Sequence, residues 1–251
     1  FTSYQVNVAP GQLNIVNDAA NEPSIAVDPT NSNRIAVGWR QFNTIASSFR
    51  QAGRAYSTDR GLTWTFPGVI NPGVFRSDPV LAADSSGNFY YSSLRTANPD
   101  GSGDFLVEVY KSLDGGQTWG APVPAFGGDK QWFMIDNTGG IGDGNIYQVW
   151  NSQFSGIPWA GTDFTRSING GASFQTPLPM PNPRLKWGTL DVGPSGELYI
   201  VGATLNQSGQ VLVKSSTAQN TAITPTFDFA HNITLGGIST GGPPNPAGLL
   251  G

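Results

Sequence analysis

Asp, Glu, Lys and Arg make up only 12% of this 251-residue chain, so the places where they gather stand out. Glu22, Arg76 with Asp78, Asp129 with Lys130, and Arg184 with Lys186 each sit at the start of a short apolar run that reads as a β-strand. Carboxylates set among guanidinium and ammonium groups can work as acid and base or bind an anion. The same charges can simply neutralise one another at strand ends around a wet channel. Asp78 and Asp129 are the candidate catalytic acids; Glu22, Arg76, Lys130 and Arg184 are candidate ligand contacts. Arg40 and Arg50, in "RQFNTIASSFRQAG", and Trp159, in "NSQFSGIPWAGTD", join the contacts because long loops on a rigid scaffold tend to carry function.

Other chemistries have less to work with. His231 is the only histidine and falls in "FDFAHNIT", a last-strand segment away from these charges, so a Ser-His-Asp triad is set aside. The absence of Cys removes disulfides, thiolate metal sites and a Cys nucleophile. "DNTGGIGDGN", with Asp136 and Asp143, and "NPDGSGD", with Asp100 and Asp104, have oxygen spacings that suit a Ca²⁺ turn. Neither has a full ligand pattern, so solvated turns are expected there, with no cofactor. Trp132, Trp150, Trp159 and Trp187 could serve as sugar-stacking platforms but are expected to pack between strands, Trp159 being the best candidate for exposure.

The elements that must position these residues show in a repeat. "STDRGLTW" (Ser57 to Trp64), "SLDGGQTW" (Ser112 to Trp119) and "SINGGASF" (Ser167 to Phe174) put Asp59, Asp114 and Asn169 55 residues apart both times, closing on Trp64, Trp119 and Phe174. Each period reads as four short β-runs separated by turn residues. The second is clearest: "DPVLAAD", "NFYYSSL", "FLVEVYKS", the boxed turn, then "TWGAPVP". Asn replaces Asp in the third copy without disturbing the pattern, which a catalytic acid would not tolerate, so the box is read as a folding device.

These observations predict an all-β chain: a β-propeller of four-stranded antiparallel blades in one domain over 1–251, the blades spanning 22–70, 77–126, 130–180 and 186–234. Residues 235–251 form a Gly/Pro-rich tail or the start of a further blade. With 33 Gly and 19 Pro, almost no helix is expected. A net charge of −4 with 13 scattered bases argues against nucleic acid and anionic membranes. No apolar run approaches the ~18 residues of a membrane span, so no membrane insertion is expected. The start, "FTSYQVNVAP", lacks Met and a signal peptide and is read as processed or trimmed; a secreted, periplasmic or cell-surface location is expected.

Ser-x-Asp-x-Gly-x-Thr-Trp is the Asp-box, and the chain resembles the Asp-box (BNR-repeat) propellers of the sialidase superfamily over nearly its whole length. That superfamily contains sialidases and other glycosidases, and also receptors and assembly factors that hydrolyse nothing. The resemblance implies boxes on one face of the ring and a site on the other, where the charged strand mouths and long loops lie. It also implies, for a sialidase, an Arg-Ile-Pro motif on the first inner strand that binds the substrate carboxylate. The matching strand here reads "NEPSIAV", with Glu22 where the arginine would lie, and a carboxylate there repels a sialic acid.

Six blades of this period need about 330 residues. The chain is therefore read either as part of a larger, six-bladed ring or as a ring closed at four or five blades, with "YQVNVAP" completing the last; the first is preferred. Two functions follow. One is a non-hydrolytic extracellular module that binds glycan or another protein through the loop-rich face. The alternative is a glycoside hydrolase with a non-sialic substrate, using Asp78 and Asp129 if they stand about 5 or about 6.5–9.5 Å apart.

Overall fold

The computed structural model describes residues 2–151, 159, 161–234 and 236, and among them every regular element is a strand. A small hairpin, β1 (Val8–Ala9) and β2 (Leu13–Asn14), precedes four antiparallel meanders. The first sheet is β3 (Ala19–Val27), β4 (Ile35–Phe42) and β5 (Gln51–Ser57); the second is β6 (Arg76–Ala83), β7 (Phe89–Thr96), β8 (Phe105–Ser112) and β9 (Val123–Pro124). The third is β10 (Asp129–Ile135), β11 (Ile146–Asn151) and β12 (Phe164–Ser167). The fourth is β13 (Leu185–Val192), β14 (Leu198–Thr204), β15 (Gln210–Ser215) and β16 (Phe229–Ile233).

The expectation of four strands in every sheet needs correcting. In the first and third sheets the fourth segment makes only isolated bridges, Ala52 with Ile70, Tyr56 with Thr65, and Phe164 with Leu178. Proline, which has no N–H to give to a ladder, interrupts "TWTFPGV" and "SFQTPLP", and Gly68 turns the chain with φ 99°; in the second sheet, where Pro124 lies in β9, the pairing is likewise short, at two residues. The fourth sheet has no proline between Thr226 and Ile233, and its last strand pairs over five residues.

The sheets stack face to face in chain order, and the two-residue period of the strands shows how. Along β6 and β7, Leu81, Phe89 and Tyr91 pack with Ala26, Ala36 and Ala52 of the first sheet. Their alternates Val80 and Tyr90 pack with Phe133, Ile135 and Ile146 of the third. Tyr147 and Val149 then point to the fourth sheet, meeting Leu185, Leu198, Ile200 and Val213. Gly38 is required by this packing, since a Cβ there would come within 2.5 Å of Tyr91 Cε2 and 2.6 Å of Leu81 Cδ1. Among the described residues the N-terminal hairpin pairs with none of the four sheets. Val8 packs on Val37, Trp39, Ala55 and Trp64 of the first sheet.

The first strands β3, β6, β10 and β13 lie side by side in that order. Pairing of Asn21 with Arg40 and of Arg40 with Ala52 puts the starts of these strands at one end of the sheets. Val27, Ile35 and Ser57 come together at the other end, where the boxed turn begins.

Candidate functional site

All four first strands lose register near their start, between Asn21 and Ser24, Ser77 and Val80, Asp129 and Trp132, and Leu185 and Trp187. In the first three, the bulge holds a charged residue in the left-handed region: Glu22 at φ 50°, Asp78 at 46° and Lys130 at 53°. Positive φ is uncommon for such residues, and strained or bulged backbone gathers at functional sites because it re-aims side chains. Pro23 and Pro79 follow the first two and occupy bulge positions where a missing N–H costs nothing.

The bulges meet at a cavity of about 400 Å³ lined by Glu22, Pro23, Ser24, Asp78, Pro79, Val80, Lys130, Gln131, Trp132, Trp187 and Gly188. Its charges are paired. Arg40 Nη2 is 3.0 Å from Glu22 Oε1, and Lys130 Nζ is 3.4 Å from Asp78 Oδ1. The backbone N–H of Lys130 and the Ser77 hydroxyl also donate to Asp78, at 3.2 and 2.8 Å. Burial, and then the nearby charge of Asp78, push the carboxyl of Glu22 above its ordinary range against the opposing pull of Lys130 and Arg40. Asp129 is likewise raised, first by burial and then by Asp78.

Trp132 and Trp187, expected as packing, are each 41% exposed at this cavity. Lys186 Nζ sits over the Trp187 ring, 4.7 Å from its centroid. Trp150 is buried. Trp159 stands apart from the cavity: it packs edge-on against Phe126, ring centroids 5.5 Å apart, and borders an outer groove with Arg95 and Glu108. Residues 152–158 and 160 of the same loop lie outside the described residues.

Arg76 is the main correction among the expected ligand contacts. It is 2% exposed, its guanidinium bonds Glu108 and lies 5.2 Å from the Tyr110 ring centroid, and Arg95 Nε holds the same carboxylate at 2.8 Å. Arg184 is likewise committed, donating to the buried Asp163 at 2.7 Å, outside the cavity lining. Arg50 donates to Ser77 Oγ at 3.1 Å and stacks over Phe75 at 4.4 Å, one hydroxyl away from Asp78. His231 stacks on Phe229 in β16, 4.7 Å between centroids.

At the far end, the three boxed turns share one hydrogen-bond plan. Asp59 Oδ1 accepts from the Thr63 N–H at 2.9 Å and Oδ2 from the Thr63 hydroxyl at 2.6 Å; Asp114 accepts from Thr118 at 2.9 and 2.5 Å in the same way. Asn169 accepts from the Ser173 N–H at 3.0 Å and donates to Ser173 Oγ at 2.8 Å. Trp64 is buried, whereas Trp119 and Phe174 are half-buried, Trp119 lying edge-on to Tyr91. The remaining Asp-rich turns use their own donors: Thr138 bonds Asp136 at 2.6 Å, Ser102 bonds Asp100 at 2.7 Å and the Gly139 N–H bonds Asp143 at 3.0 Å. Among the described residues no three Asp, Glu, His or Cys side chains converge as metal ligands.

Neither a protein-family model nor a curated protein matches the chain. Solved structures do. A Dyadobacter fermentans protein of unknown function superposes with TM-score 0.58 at 17% identity over 86% of this chain and 72% of its own. A Hadza microbial sialidase gives 0.54 at 12% identity over 86% of this chain, which spans 46% of the sialidase. An α-L-arabinofuranosidase from Fusarium graminearum, solved with an iminosugar inhibitor, gives 0.57 at 14% over 85% of this chain and 66% of its own. At these identities the likeness is one of fold, and it places these stacked meanders beside propeller glycoside hydrolases.

Proposed function

We propose that the chain is a sialidase-like Asp-box β-propeller module that binds glycan at the cavity between the four first strands, and that it does so without hydrolysis. The observation that carries this is the pairing of two half-exposed tryptophans, Trp132 and Trp187, with a cluster of ion-paired polar groups in one 400 Å³ cavity. Aromatic faces stack on the apolar faces of sugar rings, while carboxylates and ammonium groups take up hydroxyls. Small-ligand sites generally combine such an apolar wall with a few converging polar groups. A secreted or cell-surface setting and a six-bladed ring belong to the same proposal.

The non-hydrolytic part rests on the commitment of the cavity carboxylates: Glu22 is held by Arg40 at 3.0 Å and Asp78 by Lys130 at 3.4 Å. One observation favours hydrolysis instead: burial holds protons on Glu22 and Asp129 above the usual carboxylate range, a property of general acids. A glycan array with the purified protein, run beside a panel of p-nitrophenyl glycosides, decides between them. Retention of a glycan that is not turned over supports the module. Turnover abolished by Asp129→Asn establishes the hydrolase.

A further inference from the structure

Asn169 is the one asparagine of the chain that glycine follows, and it stands at the one boxed turn where asparagine replaces aspartate. The turn sets both residues. Gly170 has φ 62°, a left-handed conformation that suits glycine, and Asn169 fills the place that Asp59 and Asp114 hold in the other boxes. Asn169 is exposed and Gly170 half-buried. An asparagine amide is a labile group, and a glycine after it leaves no Cβ in the path of the backbone nitrogen that can attack it.

Three bonds hold the Asn169 side chain: Oδ1 accepts from the Ser167 hydroxyl at 2.9 Å and from the Ser173 N–H at 3.0 Å, and Nδ2 donates to Ser173 Oγ at 2.8 Å. The two to Ser173 lie in solvent, so exchanging them for bonds to water costs only about 1 kcal/mol each. The attacking nitrogen is not held back. Among the described residues the Gly170 N–H has no acceptor, whereas the equivalent N–H of the first box, that of Arg60, is tied to the Asn33 carbonyl at 3.2 Å.

The fold also has a place for the product of such an attack. Asp59 and Asp114 each accept from a threonine hydroxyl, Thr63 at 2.6 Å and Thr118 at 2.5 Å. Ser173 stands where those threonines stand, and its hydroxyl, an acceptor toward Nδ2, can turn and donate once the amide is an acid. Lys111 supplies a cation, its ammonium donating to the Gly170 carbonyl at 3.3 Å, one residue from the new charge.

We infer that Asn169 is a self-modification site, at which the chain converts its third box from Asn to Asp. The Gly170 nitrogen attacks Asn169 Cγ. The new C–N bond closes an imide ring, the Cγ–Nδ2 bond breaks, and the amide nitrogen leaves as ammonia with the proton of the Gly170 N–H. Water then opens the ring. Addition at Cγ restores the peptide bond and leaves Asp; addition at the main-chain carbonyl of residue 169 leaves isoaspartate, with an extra methylene in the backbone. Nothing is oxidised or reduced, and in sum an amide and a water give a carboxylate and an ammonium ion. The Asp product keeps the box. The isoaspartate product loses it, because the added methylene displaces Gly171, whose N–H bonds Ser167 Oγ at 2.9 Å.

The test incubates the folded full chain at mildly alkaline pH in heavy-oxygen water and maps its peptides by mass spectrometry. Asn169 is expected to become a labelled acid at least about tenfold faster than any other asparagine. Asn169→Gln, whose longer side chain would have to close a larger ring, should gain no label there. Ser173→Ala, checked by circular dichroism, frees the amide and should speed conversion severalfold, a response that the Asn-Gly sequence alone would not produce. The products are separated by ion exchange, and an isoaspartyl methyltransferase identifies the isoaspartate form. The Asp form should share its urea midpoint with Asn169→Asp, at or above that of the parent, and the isoaspartate form should fall below it. If Asn169 keeps its amide in the folded chain and loses it only in urea, the box protects the residue and the assignment is wrong. An Asp form less stable than the parent would overturn the fit of the product to the box, and an unchanged rate in Ser173→Ala would overturn the control assigned to Ser173.

Discussion

Lys130 grips Asp78 with two atoms, its backbone N–H reaching Oδ2 at 3.2 Å and its ammonium reaching Oδ1 at 3.4 Å. Both residues lie in β-bulges with positive φ, one in the second sheet and one in the third. The clasp thus spans a sheet boundary and fixes the cavity wall with a charge pair, where apolar packing takes over only deeper in the sheets. Strain in both bulges is offset by bonds that exist only when the two sheets are docked. The site and the stacking of the sheets are therefore coupled.

Glu22 should make stability fall as pH rises. Its carboxyl is raised above the ordinary range in the folded chain, so the fold binds this proton more tightly than the unfolded chain does. The contribution is complete below the ordinary carboxylate value and is lost as pH climbs through the raised one. Glu22→Gln removes this ionisation. Urea melts from pH 4 to 7 should show a shallower decline for the variant than for wild type. An identical slope would mean that Glu22 titrates as an ordinary surface carboxyl.

Arg76 should prove structural. Replacing it by Leu leaves Glu108 with Arg95 alone in a half-closed site, and breaking such a pair from one side costs about 3 kcal/mol. The expected outcome is a large drop in the denaturation midpoint with glycan retention unchanged at temperatures where the variant is folded. Loss of binding without loss of stability would return Arg76 to the ligand site.

Much of this was legible before any coordinates. The β8 limits coincide with the run Phe105 to Ser112 because turn residues bound it on both sides, Gly101 to Asp104 before it and Asp114 to Gly116 after it. The partners of charged residues were not legible. Arg76 and Asp78 are two positions apart, yet the bulge between Ser77 and Val80 shifts the strand between them, burying one side chain with Glu108 and aiming the other at the cavity. A signal was present in the acid-proline dipeptides Glu22-Pro23 and Asp78-Pro79, since proline is confined to edges and bulges. Trp132 and Trp187 read as packing in the sequence yet are each 41% exposed, because exposure on an innermost strand depends on how the sheets meet, which no local pattern encodes.

The boxed carboxylates should stabilise in the opposite sense to Glu22. Hydrogen bonds from Thr63 and Ser57 hold Asp59 down from 3.8 to about 2, so its contribution is present above its ordinary value and is lost as pH falls toward 2. Asp114 is also lowered; burial opposes the shift, and the bonds from Thr118 and Ser112 outweigh it. Asp114→Asn should cost little, since Asn169 already closes the third turn through Ser173. Asp114→Ala should cost about 0.5–1.5 kcal/mol, because the bonds from Thr118 are lost but its exposed donors turn to water. Equal midpoints for Asp114→Ala and wild type would show that the turn closes without its carboxylate.

Trp132 and Trp187 should carry most of the binding energy while contributing little to folding. Each leaves 41% of its surface open, so truncation to Ala removes less buried area than a core substitution and the melting temperature should fall only slightly. A desolvated aromatic anchor is worth about 2 kcal/mol or more to a ligand, roughly thirtyfold in affinity. Each single variant is expected to weaken retention of the array-selected glycan by about that factor. The double variant should abolish it if both rings contact one ligand. Trp159→Ala is the control, because Trp159 lies against Phe126 in the outer groove and should leave binding untouched. A sialoside is expected to be neither held nor cleaved by any of these proteins, since the carboxylates of Glu22 and Asp78 line the cavity. If Trp159→Ala is the substitution that loses the glycan and Trp132→Ala is silent, the ligand sits in the outer groove and the central cavity is only the wet end of a packed core.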